Sequence, residues 1–83
     1  MEKYFLNCRY DGRKSFYNKA RVEETEKSKK LYSYETLVAE ITEEKVIIHL
    51  MESQTTARHI KEFLKQNGYK AESLKQIKKD YNY

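Results

Sequence analysis

Few side chains in this 83-residue sequence could do covalent chemistry, and their spacing limits what each can do. Cys8 is the one thiol, and His49 and His59 are the two imidazoles. A cysteine beside a histidine can act as nucleophile and base when a third group orients the base. Cys8 sits in an alternating strand pattern without a telling spacing to either histidine, and it reads as a small buried hydrophobe. Zinc could draw on Cys8, His49 and His59, with Asp11 or Glu62 completing the set. Clustered ligands at CxxC or HxxxH spacing mark such sites, however, and the sequence has neither. No metal and no cofactor is therefore expected. Glu23-Glu24 and Glu43-Glu44 fall in turns and read as solvated charge, and neither Gly12 nor Gly68 has a second glycine near enough for a phosphate loop. His59, close to Glu62 and Gln66 on a helical wheel, reads as a hydrogen-bonded boundary residue. No catalytic constellation remains, and a protein that is not an enzyme is expected.

Binding chemistry is better represented. Lys and Arg number 17 against 13 Asp and Glu, a net charge of +4 that is unevenly spread. Residues 1–22 carry six basic and two acidic side chains, residues 23–52 four and eight, and residues 53–83 seven and three. Arg58, Lys61 and Lys65 fall on one helical stripe opposite Ile60, and Lys75, Lys78 and Lys79 form another. Eight tyrosines accompany them. Lysines neutralise phosphates and rings stack on bases, so this mixture fits a nucleic-acid surface as well as the solvated face of an ordinary helix. No zinc-finger spacing, helix-turn-helix or RNA-binding aromatic signature is present.

These residues need a scaffold, and the period of the apolar positions supplies one. Tyr4, Leu6, Cys8 and Tyr10 alternate, and Asp11-Gly12 follows as a tight-turn signal. Phe16, Asn18, Ala20 and Val22 alternate next, and the charged residues 23–30 read as a solvated hairpin connection. Residues 31–41 and the β-prone residues 46–51 flank a turn at 42–45. From Gln54 to Asn67 the period changes to that of a helix, with Thr56, Ala57, Ile60, Phe63 and Leu64 on one face. Ser53 or Thr55 can cap it, and Asn67-Gly68 stops it. A second helix begins near Ser73 and carries Leu74, Ile77 and Tyr81. The expected fold is one α+β domain over residues 1–83: a three- to four-stranded antiparallel sheet with two C-terminal helices packed on one face.

No apolar run reaches the ~20 residues that span a bilayer, and Glu2-Lys3 followed by only Tyr4, Phe5 and Leu6 is not a signal-peptide pattern. A lone cysteine suits a reducing cytoplasm.

Three segments carry a resemblance. Lys14-Ser15-Phe16-Tyr17-Asn18-Lys19-Ala20, then Leu31-Tyr32-Ser33-Tyr34-Glu35-Thr36-Leu37-Val38-Ala39, then Ser53-Gln54-Thr55-Thr56-Ala57-Arg58-His59-Ile60-Lys61-Glu62-Phe63-Leu64 resemble a family of small proteins of unknown function from phages and mobile elements of Gram-positive bacteria. Its members show K-S-F-Y-G-K-A, S-Y-x-T-x-V and S-x-T-T-x-R-H-I-x-x-F-L. Asn18 replaces a frequent glycine, and asparagine tolerates the positive φ that a bulge there would need.

The resemblance implies a setting in the host cytoplasm and a role in binding rather than catalysis. Tyr34, Thr36, Thr55, Arg58 and His59 are expected to share a patch where hairpin and helix meet, with Lys61 and Lys65 extending it. The first functional expectation is an inhibitor of a host macromolecule, such as a CRISPR effector or another defence nuclease. The alternative is a nucleic-acid-binding accessory protein using the basic helix faces and the tyrosines. The oligomeric state is left open.

Overall fold

Alternating burial builds the sheet: Ala20 and Val22, Leu31, Val38 and Ile41, and Val46 and Ile48 all turn into one core. The computed structural model describes residues 2–12, 16–51 and 53–81. Among the described residues the strands are β1 (Glu2–Phe5), β2 (Ala20–Glu24), β3 (Ser28–Ser33), β4 (Thr36–Thr42) and β5 (Val46–Ile48). They pair antiparallel in the order β1-β2-β3-β4-β5, a simple meander. The helices α1 (Gln54–Gln66) and α2 (Leu74–Asp80) follow. Ala57, Ile60, Phe63 and Leu64 of α1 and Ile77 of α2 join the strands in that core.

The sheet therefore has five strands where three or four were expected. Residues 31–41 look like one strand in sequence but fold as two, because the chain reverses at Tyr34-Glu35. Both residues have positive φ, 51° and 71°, and Ser33 pairs with Thr36. Two such residues in succession form a type I′ turn, which normally announces itself through Asn, Asp or Gly. Tyr-Glu carries no such signal.

Two further expectations are corrected. Asp11-Gly12 does not turn a hairpin: β1 ends at Phe5, well before it, and β2 begins only at Ala20. The charged connection shrinks from 23–30 to three residues. Thr25 closes it by donating its N–H to the Ser28 carbonyl at 2.8 Å, while its hydroxyl oxygen accepts the Ser28 N–H at 3.2 Å. Thr42 closes the β4–β5 turn in the same manner, its N–H to the Lys45 carbonyl at 2.9 Å.

The helices match their expected bounds closely. Ser53 is the N-cap of α1, its hydroxyl accepting the Thr56 N–H at 3.1 Å. Asn67 is the C-cap, and Gly68 follows at φ 81°. Ser73 caps α2 in the same way through the Gln76 N–H. No helix among the described residues is long and apolar enough to cross a membrane.

Candidate functional site

A second reversal with positive φ lies directly beside the first. Tyr17 and Asn18 have φ of 51° and 62°, and the Lys19 N–H closes their turn on the Phe16 carbonyl at 2.9 Å. Asn18 thus occupies a tight turn rather than a bulge. The Tyr34 N–H donates to the Lys19 carbonyl at 2.9 Å, which couples the two turns. Each turn carries a tyrosine at its first central position, a conformation that costs a bulky residue ~1–2 kcal/mol. Both rings face outward, with Tyr17 73% and Tyr34 57% exposed.

Between these turns and the start of α1 is a pocket of about 270 Å³, lined by Tyr17, Lys19, Tyr34, Thr55, Arg58 and His59. Phe16 also lines it and sets its ring edgewise against His59, with centroids 4.6 Å apart. The Tyr34 ring is 6.0 Å from His59 on another side. Of the expected patch, Tyr34, Thr55, Arg58 and His59 come together here. Thr36 does not line the pocket; it is exposed at the start of β4. Tyr17 and Lys19 were not among the expected site residues. Lys14 and Ser15, in the first resembling segment, lie outside the described residues.

His59 is not a boundary residue and does not bond Glu62. It is 1% exposed, and its Nδ1 lies 2.8 Å from Ser33 Oγ on β3. A chain of hydroxyls stands behind that bond. Ser53 Oγ donates to Thr56 Oγ1 at 3.0 Å, and Thr56 Oγ1 is 3.5 Å from Ser33 Oγ. Where donation runs in this order Nδ1 accepts from Ser33 and the ring proton sits on Nε2; in the other tautomer Nδ1 donates to Ser33 Oγ. Burial lowers the His59 pKa below its ordinary value, against a smaller opposing pull from the Asp11 carboxylate, so the ring is neutral at pH 7.

Arg58 forms the wall between this pocket and a larger groove of about 450 Å³ that also includes Lys61, Lys65, Tyr10, Asp11 and Leu74. The basic side chains recur at i, i+3 and i+7, so Arg58 and Lys65 are ~10 Å apart along the axis. Arg58 Nη1 pairs with Asp11 Oδ1 at 3.5 Å, which ties α1 to the loop after β1.

Glu62 holds that loop more firmly, and it was expected only as a possible metal ligand. The side chain is 1% exposed, and its Oε1 accepts the N–H groups of Tyr10 at 2.8 Å and Asp11 at 2.9 Å. Gln66 donates to the other carboxylate oxygen and also to the Asn7 carbonyl at 2.7 Å. The alternation at Cys8 and Tyr10 thus belongs to a loop held by a helix rather than to a strand.

The other candidate metal ligands lie apart from His59. Cys8 is half-buried against the core, and His49 Nε2 is 2.9 Å from Glu40 Oε1 on the sheet. Among the described residues no group of three or more His, Cys, Asp or Glu side chains is arranged to hold a metal ion.

No curated protein and no solved structure matches the chain. A family model described as "Family of unknown function (DUF8033)" matches residues 4–79, a span that takes in every strand but the start of β1 and nearly all of both helices. The chain belongs to this family.

Proposed function

We propose that this protein binds single-stranded nucleic acid and catalyses no reaction. One observation carries the reading: two outward tyrosines on coupled turns stand beside Arg58, from which Lys61 and Lys65 continue along the same helix. Aromatic faces stack on unpaired bases whatever their sequence, and a row of cations tracks the phosphates. A duplex offers no free base faces, which favours the single strand. Backbone held at costly φ values is found where function requires it, and both tyrosines occupy such positions.

Fluorescence anisotropy with labelled 12-nucleotide strands and the matching duplex tests this. The single strand should bind more tightly, and Arg58→Ala with Lys61→Ala and Lys65→Ala should reduce that binding at least about tenfold. Equal binding of strand and duplex, or no loss in the triple variant, would defeat the proposal.

A different surface favours a protein partner. All four residues of the edge strand β1 are exposed, including Tyr4 and Phe5, and aromatic side chains are frequent interface anchors. In the phage or mobile-element setting that the resemblance implies, with the host cytoplasm as location, such a partner would be a host defence nuclease such as a CRISPR effector. Retention of one host protein on the tagged chain after nuclease digestion, abolished by Phe5→Glu, would support this second reading.

A further inference from the structure

The pocket and the groove on either side of Arg58 differ in charge balance. In the groove, Arg58, Lys61 and Lys65 face Asp11 and Glu62, both already engaged by hydrogen bonds or an ion pair. That balance suits the single charge of an internal phosphodiester. Among the described residues the pocket is lined by Lys19 and Arg58 and by no carboxylate, Arg58 being shared with Asp11 in the groove. It also borders the start of α1, whose first turn has no acidic residue. The N–H groups of Gln54 and Thr55 there have no acceptor within the helix, because the first turn of any helix leaves its donors unpaired. Thr55 lines the pocket.

His59 is independent evidence for a ligand. It is 1% exposed and lines the pocket, and Ser33 holds its Nδ1. Among the described residues Nε2 has no hydrogen-bond partner, and it carries the proton in the tautomer in which Ser33 donates to Nδ1. Nε2 is not sealed off, since the one fully buried unpartnered side-chain atom among the described residues is Arg21 Nε, so it opens on the pocket and can meet a ligand. Phe16 sets its ring edgewise against the imidazole at 4.6 Å, and the Tyr34 ring lies 6.0 Å away.

We infer that this pocket takes the phosphorylated end of a single-stranded nucleic acid, with the terminal base against Tyr17 and Tyr34 and the phosphate among Lys19, Arg58, Thr55 and His59. The inference rests on the single-strand reading above and names the part of the strand that the pocket selects. A terminal phosphate monoester carries close to two charges at pH 7, against one for each internal phosphate. Two side-chain cations, of which only Arg58 is shared with a carboxylate, and a helix start match the terminal group. The pocket is also smaller than the ~300 Å³ at which drug-sized sites begin, so it fits one nucleotide and not several.

Calorimetric titration with a ten-nucleotide thymidine strand carrying a 5′-phosphate, a 3′-phosphate or neither tests the inference. One phosphorylated end should bind about tenfold more tightly than the hydroxyl-ended strand, the gain expected from a charge-assisted hydrogen bond. Lys19→Ala alters an exposed side chain; it should abolish the preference while leaving binding of the hydroxyl-ended strand within about twofold. Equal affinity for all three strands would overturn the inference and leave the single-strand reading standing. Failure of all three to bind would defeat that reading itself. Thymidine monophosphate should compete only weakly; competition equal to that of the strand would make a free nucleotide the ligand and overturn the assignment to a strand end.

Discussion

A buried imidazole keeps its place only if its neighbours prefer it neutral, and His59 has such neighbours. Phe16 and Tyr34 flank its ring, and Ser33 supplies one hydrogen bond. Burial lowers its affinity for a proton, and the Asp11 carboxylate restores only part of it. The unfolded chain therefore binds the proton more tightly than the folded one. As pH falls through the ordinary value of 6.5, the unfolded state gains a proton first and stability begins to fall. The loss continues until the folded ring titrates as well. Urea unfolding between pH 8 and pH 5 should thus show full stability above about pH 7 and a decline below it. In His59→Gln, whose amide can still meet Ser33, that decline should be smaller. An unchanged slope in this variant would assign the dependence to other groups.

The two turns at 17–18 and 34–35 are the elements that make the site, and they are built against local preference. Glu35 is at φ 71° and is compensated by Arg21, whose Nη1 lies 3.0 and 3.1 Å from its two carboxylate oxygens. Arg21 is half-buried but the Glu35 carboxylate lies in solvent, so the pair is screened and adds little, whereas glycine would remove the backbone cost. Glu35→Gly should therefore stabilise the fold by about 0.5–1 kcal/mol, read as a rise in Tm of a few degrees. A fall in Tm would show that the ion pair outweighs the backbone term. The same local conflict explains what the sequence concealed. Helix α1 was legible because its cap, apolar face and Asn67-Gly68 stop all agree. Tyr34-Glu35 lacks the residues that announce a turn, so two strands read as one. Asp11-Gly12 misleads in the opposite direction, because Glu62 takes up the Tyr10 and Asp11 N–H groups and draws the loop to a helix. Only a contact made between residues 51 and 52 positions apart reveals that. Arg58 and His59 stood out by the resemblance and by helical spacing, whereas Tyr17 and Lys19 joined them only once the turn at 17–18 was formed.

Across the whole molecule the charges divide between the two sides of the sheet. The acidic excess of residues 23–52 is balanced largely on the side away from α1, where Glu23 lies opposite Lys30, Lys30 opposite Glu40, and Arg21 opposite Tyr32. Arg21 also pairs with Glu23 at 3.3 Å and places its guanidinium 4.6 Å from the centre of the Tyr32 ring. Lys30 alternates with the buried Leu31 and so belongs to that outer side. The basic stripe of α1 is balanced less completely, with Asp11 on Arg58 as its one ion pair among the described residues. If a strand lies along Arg58, Lys61 and Lys65, three phosphates release their counterions, and log K should fall with log salt at a slope of about −2. Lys61→Ala should make that slope shallower by about 0.7, since one phosphate contact is lost. Lys30→Ala removes the same charge from the opposite side of the sheet and should leave the slope unchanged. The two variants have equal net charge, so a difference between them separates a local track from attraction to the overall charge. If both changed the slope equally, the binding would be diffuse and the α1 groove would not be its path.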